Sequence, residues 1–160
     1  MCSVRTSRRF AALAAAIIVA FPRPAAAQPV KALVDSQNYV FQAQTVQPLR
    51  GPVHQVTTDL YTLKITKHKV ISDLPYFGRA YVAPMDPSKG ALQFTLTYFS
   101  YSVRPGKHGG WNVTIRPKDS KDIQALELNI SSAGYASLQV IATNMDAISF
   151  NGVVTPPDRH

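Results

Sequence analysis

The chain has 160 residues, 46% hydrophobic and 16% charged, a size that suits one domain built round one core. Its formal charge of +8 suggests a polyanion-binding surface, but four of the 17 basic residues (Arg5, Arg8, Arg9, Arg23) fall within the first 27 positions. All nine acidic residues lie beyond them, so a domain starting near Gln28 carries +4 and argues against nucleic acid as a partner. The single cysteine, Cys2, also belongs to that first segment, which excludes an internal disulfide, a thiolate metal site and a cysteine nucleophile from the domain.

Residues 1–27 have the order of an export signal. A basic start leads into the apolar run Phe10 to Phe21, then Pro22 and Pro24, then Ala25-Ala26-Ala27 before Gln28. The run is shorter than the ~20 residues a membrane-spanning helix needs, and Cys2 precedes it instead of closing it, so neither a transmembrane anchor nor a lipid anchor is expected. Ser7-Arg8-Arg9-Phe10 resembles the twin-arginine export signal, with Phe10 one place early, and the general route remains the alternative. The mature product is expected to be a soluble, exported domain of 133 residues.

From Gln28 onward the first element is a short helix over Val30 to Gln37, with Ala32, Leu33 and Val34 available for packing. Everything later alternates with period two, the pattern of half-buried antiparallel strands. Asn38 to Val46 puts Tyr39, Phe41 and Ala43 on one face and Gln42 and Gln44 on the other, before Pro48, Gly51 and Pro52 force a loop. Asp59 to Thr66 and Lys69 to Leu74 form a hairpin turning at Lys67-His68, and the Lys64, Lys67, His68, Lys69 group reads as its solvated end. Leu92 to Val103 reads as one long strand with Leu92, Phe94, Leu96 and Tyr98 on one side. Pro105 to Gly110 turns the chain into Trp111, Val113 and Ile115. Strands carrying Leu126, Leu128 and Ile130, then Leu138 and Val140, then Ile148 and Phe150, are separated by turns at Ser132-Ala133-Gly134 and Asn144-Met145-Asp146.

The sum is an all-β, mainly antiparallel domain over residues 28–154. It is a single curled sheet, barrel or sandwich of about eight strands with one short N-terminal helix and a disordered tail over 155–160. Asn112-Val113-Thr114 and Asn129-Ile130-Ser131 match the glycosylation triplet but lie inside alternating apolar segments, where the triplet carries no such meaning in a bacterium.

Leu74-Pro75-Tyr76-Phe77-Gly78-Arg79-Ala80-Tyr81 is the least ordinary segment. Three aromatics and an arginine around Pro75 and Gly78 suit a stacking surface with a guanidinium to orient a carboxylate, phosphate or sugar hydroxyl. The competing reading is a turn whose rings cover one end of the core while Arg79 pairs with an acidic neighbour. The candidate ligand-binding residues are Tyr76, Phe77, Arg79 and Tyr81, with Trp111 and His108 from a neighbouring turn.

The same segment, with Asn38-Tyr39-Val40-Phe41, Gly110-Trp111, Gly134-Tyr135-Ala136 and Ile148-Ser149-Phe150-Asn151-Gly152, resembles the exported bacterial family known as domain of unknown function 4251. Phe150 departs from the Tyr expected there. The resemblance implies an exported envelope domain, periplasmic or secreted in a Gram-negative bacterium, and carries no catalytic residues.

Catalytic signatures are weak. His54, His68, His108 and His160 are scattered over loops, turns and the tail without metal-ligand spacing, and no metal or cofactor is expected. Ser72-Asp73, Ser100 and Ser131-Ser132 lack a GxSxG setting, and Asp119, Asp122 and Glu127 suit a solvated loop better than a glycosidase acid and base. The expected function is non-enzymatic binding of a small or extended envelope ligand, whether glycan, lipid or protein. A structural or protein-interaction module is the alternative, and a hydrolase ranks last. Phe41, Phe94, Tyr98 and Trp111 are the side chains expected to fill the interior that a lipid carrier would have to leave open.

Overall fold

The computed structural model describes residues 30–56, 60–81, 90 and 92–157; the expected export signal and His160 lie outside the described residues. Helix α1, Val30–Ser36, has seven residues, too few to persist alone in water. It is held by burial of Leu33 and Val34, while Ala32 stays exposed, and Gln37 in the left-handed region (φ 51°) ends it. An exposed Lys31–Asp35 ion pair one turn apart adds little.

Ten strands follow: β1 Tyr39–Pro48, β2 His54–Gln55, β3 Thr62–Ile65, β4 Val70–Leu74, β5 Leu92–Leu96, β6 Phe99–Pro105, β7 Trp111–Pro117, β8 Ile123–Ile130, β9 Tyr135–Ala142 and β10 Ile148–Thr155. They form one sheet in the order β5-β4-β3-β1-β10-β9-β8-β7-β6, with β2 beside β1, and every pairing is antiparallel. The two end strands, β5 and β6, are consecutive in the chain, so the sheet curls until its ends meet in one stretch of backbone. That is a nearly closed barrel. Inward residues, among them Tyr39, Phe41, Leu63, Leu126, Leu128, Leu138 and Phe150, are buried in one core, against which Phe99 and Tyr101 of β6 pack half-buried. Period two was sufficient to place these residues because the barrel has one wet face and one dry face.

The stretch expected as a single long strand breaks at Thr97-Tyr98. Its first part pairs with β4 and its second part with β7, and the break shifts the inward set from Leu92, Phe94 and Leu96 to Phe99 and Tyr101. Tyr98, expected inside, is therefore 62% exposed, since an offset of one residue turns a side chain to the other face. Phe41 is fully buried, and Phe94 and Trp111 are half-buried against the core. Asp119, in the turn after β7, repairs the break. Its Oδ2 accepts the amides of Thr97 (2.8 Å) and Tyr98 (2.9 Å) and the Thr97 hydroxyl (3.1 Å), and Lys118 donates its amide to the Tyr98 carbonyl at 2.8 Å. Donation from these amides, Thr97 first, holds the Asp119 carboxyl below the ordinary carboxylate value.

Inside the barrel, the Tyr39 hydroxyl meets that of Tyr101 at 3.1 Å, and Tyr101 donates to the Val34 carbonyl at 3.3 Å. Burial, then Tyr101, pushes the Tyr39 phenol far above its usual value. This chain of hydroxyls links β1, β6 and α1, elements that the sheet ladder does not pair with one another.

The ten strands exceed the expected eight because of that break and because His54–Gln55 adds a two-residue strand beside Val46 and Thr45. Thr155, expected in the tail, is the last residue of β10 and pairs with Val40. A bulge at Gln44 lets β1 switch its inward residue from Ala43 to Val46. Opposite it, Gly152 has no alternative, since a Cβ there would sit 1.9 Å from the Gln42 carbonyl oxygen.

Candidate functional site

Residues Pro75 to Tyr81 leave β4 and fold over the β9–β10 turn. An isolated bridge joins Ala80 to Met145, the Tyr81 amide donates to the Asn144 carbonyl (2.8 Å), and the Asp146 amide donates to the Arg79 carbonyl (3.0 Å). The half-buried Tyr76 donates its hydroxyl to the Arg79 carbonyl at 2.6 Å, with the Asp146 carbonyl at 3.2 Å as second acceptor. Gly78 makes this possible, because a Cβ there would meet the Tyr76 hydroxyl oxygen at 2.5 Å. Tyr81 gives its hydroxyl to the Asp146 carboxylate, and that bond, then the carboxylate's charge, raises its phenol above the usual value. Phe77 stacks on His54 with ring centroids 4.6 Å apart.

The segment is thus a clasp whose phenol hydroxyls are spent on the protein itself. It still leaves apolar surface in water, with Leu49 at 64%, Val53 at 55%, Phe77 at 46% and Tyr81 at 68% exposure. Arg50 and Arg79 both lie close enough to bear on the Tyr81 phenol, and Arg79 is exposed without an ion pair among the described residues.

Trp111 and His108 do not join this group. Trp111 opens β7 and pairs with Ile130, which pairs with Ala136 near the start of β9, whereas the clasp sits beyond Ala142 at the other end of β9. Six residues of strand separate the two places, about 20 Å. His108 is exposed in a short 3-10 turn, Lys107–Gly109, with φ of 52°.

Around Trp111 the structure has a groove of about 650 Å³, lined by Lys107, Trp111, Asn112, Asn129, Tyr135, Ser137, Asn151, Gln44 and neighbouring backbone. Its polar residues are in register. Asn112 pairs with Asn129, Asn129 with Ser137, Ser137 with Asn151, and Asn151 with Thr45, so outward side chains of five adjacent strands form one uncharged polar row across the sheet, bounded on β6 by Arg104, which pairs with Asn112. At the usual spacing between strands this row is about 19 Å long. A second row, one step along the strands, is Ser102, Thr114, Glu127, Gln139, Ser149 and Gln47. Asn151 donates weakly to Thr45 at 3.4 Å, while Asn112 and Asn129 make no side-chain hydrogen bond among the described residues. Lys107 is the one charged residue lining the groove. Tyr135, 67% exposed, stands beside the row.

Sequence reasoning named Trp111 here and missed the rest. A signal existed, because the two triplets at Asn112 and Asn129 were the same feature on paired strands. Asparagine is disfavoured in strands, so three of them at one level of a sheet is a local cost with no packing return.

Catalytic groups are dispersed. Asp119 caps the β5–β6 break, Asp122 accepts from Asn144 at 2.8 Å, and Glu127 lies in the second polar row. Among the described residues no three His, Cys, Asp or Glu side chains gather as metal ligands. No described helix is long and apolar enough to cross a membrane.

The sequence model of the family described as Domain of unknown function (DUF4251) matches residues 24–154. The chain belongs to this family. Its fold is similar to the crystal structure of a DUF4251 family protein from Bacteroides eggerthii, with a TM-score of 0.57 at 17% identity over 80% of this chain and 85% of that one. At that identity the likeness concerns the fold alone. No curated protein matches the chain.

Proposed function

We propose that this DUF4251 protein is an exported, non-enzymatic domain of the cell envelope that binds an extended ligand in the groove beside Trp111. The observation that carries this reading is the open hydrogen-bonding row, Asn112, Asn129, Ser137 and Asn151, with Tyr135 exposed on the same face, in a groove of ligand size. Tyr135 supplies an exposed ring, and Asn112 and Asn129 supply carboxamides without a side-chain hydrogen bond among the described residues, while Trp111 packs against the core from the opposite face of β7. A lipid fits this surface poorly, and the barrel interior holds Tyr39, Phe41 and Phe150 where an acyl chain would have to lie.

Trp111 is the single tryptophan of the chain and the neighbour of Asn112 on β7, so its emission reports on the strand that carries the row. Titrating the purified domain with size-fractionated envelope extract is expected to shift that emission saturably, and a flat titration contradicts the reading. Export is tested separately, by finding the protein outside the cytoplasm with its N-terminus at or near Gln28. An intact Met1, or a lipid adduct, contradicts it.

The clasp favours a second reading, a protein-interaction surface. Leu49, Val53, Phe77 and Tyr81 are exposed beside Arg50 and Arg79, an apolar patch with a basic rim.

A further inference from the structure

Resting on the groove reading above, we propose that the ligand is an uncharged oligosaccharide lying across β7, β8, β9, β10 and β1, along the Asn112–Asn129–Ser137–Asn151–Thr45 row. Three features choose this class. Carboxamides and hydroxyls both donate and accept, which matches sugar hydroxyls, and charge is confined to the β6 end, where Arg104 pairs with Asn112 and Lys107 lines the groove, while Asn129, Ser137, Asn151 and Thr45 carry none. Tyr135 offers an exposed ring at the edge of the row, and the apolar face of a pyranose stacks on such a ring.

The third feature removes the main competitor. An extended peptide binds a sheet by adding to a free edge, where main-chain groups are unpaired. Here β7, β8, β9 and β10 are each paired on both sides, so a peptide lying in the groove finds side chains but no backbone ladder. A glycan has no backbone amide to satisfy. The row also repeats its polar groups once per strand, at about 4.8 Å, a step of the same order as one sugar ring in an extended chain.

The test is Trp111 emission of the full exported domain titrated with hexamers of β-1,4-, β-1,3- and α-1,4-linked glucose, β-1,4-linked mannose, β-1,4-linked xylose and β-1,4-linked N-acetylglucosamine. An extended Ser-Ala peptide and oligogalacturonate serve as contrasts. At least one neutral hexamer is expected to shift the emission saturably. The Asn112→Ala, Asn129→Ala double variant is expected to bind it about tenfold more weakly, the loss of two ordinary hydrogen bonds, while keeping its thermal midpoint. If the double variant fails to fold, Ser137→Ala and Asn151→Ala serve singly, with a smaller loss. Saturation by the peptide or by oligogalacturonate alone overturns the glycan and leaves the groove reading standing. Binding that both asparagine substitutions leave unchanged overturns the row as its site. No response to any probe overturns the glycan, and the envelope-extract titration then decides the groove separately.

Discussion

The two ends of β9 carry surfaces of opposite kind. Beyond Ala142 the clasp is apolar and basic, and its Tyr76 and Tyr81 hydroxyls are consumed by Arg79 and Asp146 of the same chain. Toward Tyr135 the sheet face is polar, with charge only at its β6 end (Lys107, Arg104) and at Glu127 in the second row, and Asn112 and Asn129 make no side-chain hydrogen bond among the described residues. The aromatic motif most conspicuous in the sequence therefore closes the barrel. The proposed binding surface lies in residues that look unremarkable one at a time and become a row only when the strands pair.

The comparison can be broken hardest from the floor of the groove. Gly152→Ala drives a Cβ into the Gln42 carbonyl and is expected to cost about 3 kcal/mol in denaturant unfolding, because backbone on both sides must move. A loss near zero means that the β1–β10 ladder does not hold the row as described.

Tyr76→Phe removes the hydroxyl that ties the clasp to Arg79 and Asp146 and is expected to cost about 1 kcal/mol while leaving Trp111 emission and groove binding unchanged. Loss of binding without loss of stability would move the site to the clasp.

Asp119 gives a smaller effect with a pH signature. Its folded-state pKa is depressed, so its contribution is present above the ordinary carboxylate pKa and disappears as pH falls through the lower folded value. Asp119→Asn is expected to lower the thermal midpoint at pH 7 and to differ less from the parent as the pH is taken below the ordinary carboxylate range. A difference that does not change with pH contradicts a charged cap.

The smallest expected change has the opposite sign. Asn112→Thr with Asn129→Thr replaces poor strand formers by a good one on an exposed face and is expected to raise stability by about 0.5 kcal/mol while weakening ligand binding. A clear loss of stability would show that the asparagines are there for the fold.

Alternation in Tyr39 to Ala43 and in Leu126 to Ile130 was legible because each strand has one dry face. The reversal after Thr97 left only a weaker signal: on the Leu92, Phe94 and Leu96 side the run continues with Ser100 and Ser102, while Phe99, Tyr101 and Val103 take the other, and Asp119 caps the break from a distant turn. Trp111 and Tyr76 looked like neighbours because both are aromatic residues near turns. Topology puts β4 and β7 at different places in the sheet, and no local pattern encodes which end of the barrel a turn occupies. The asparagine row needed the register of β7, β8, β9 and β10, a nonlocal fact, before two dismissed triplets could be seen as partners.

The proposal that the sheet face, and not the clasp, receives the ligand is tested most directly by nitrogen-15 NMR of the purified domain titrated with the neutral hexamer that moves Trp111 emission most. The account predicts shifts in the side-chain amides of Asn112, Asn129 and Asn151 and in the Trp111 indole, with the backbone amides of Tyr76 to Tyr81 unmoved. Shifts confined to Tyr76 to Tyr81 and His54 would contradict it.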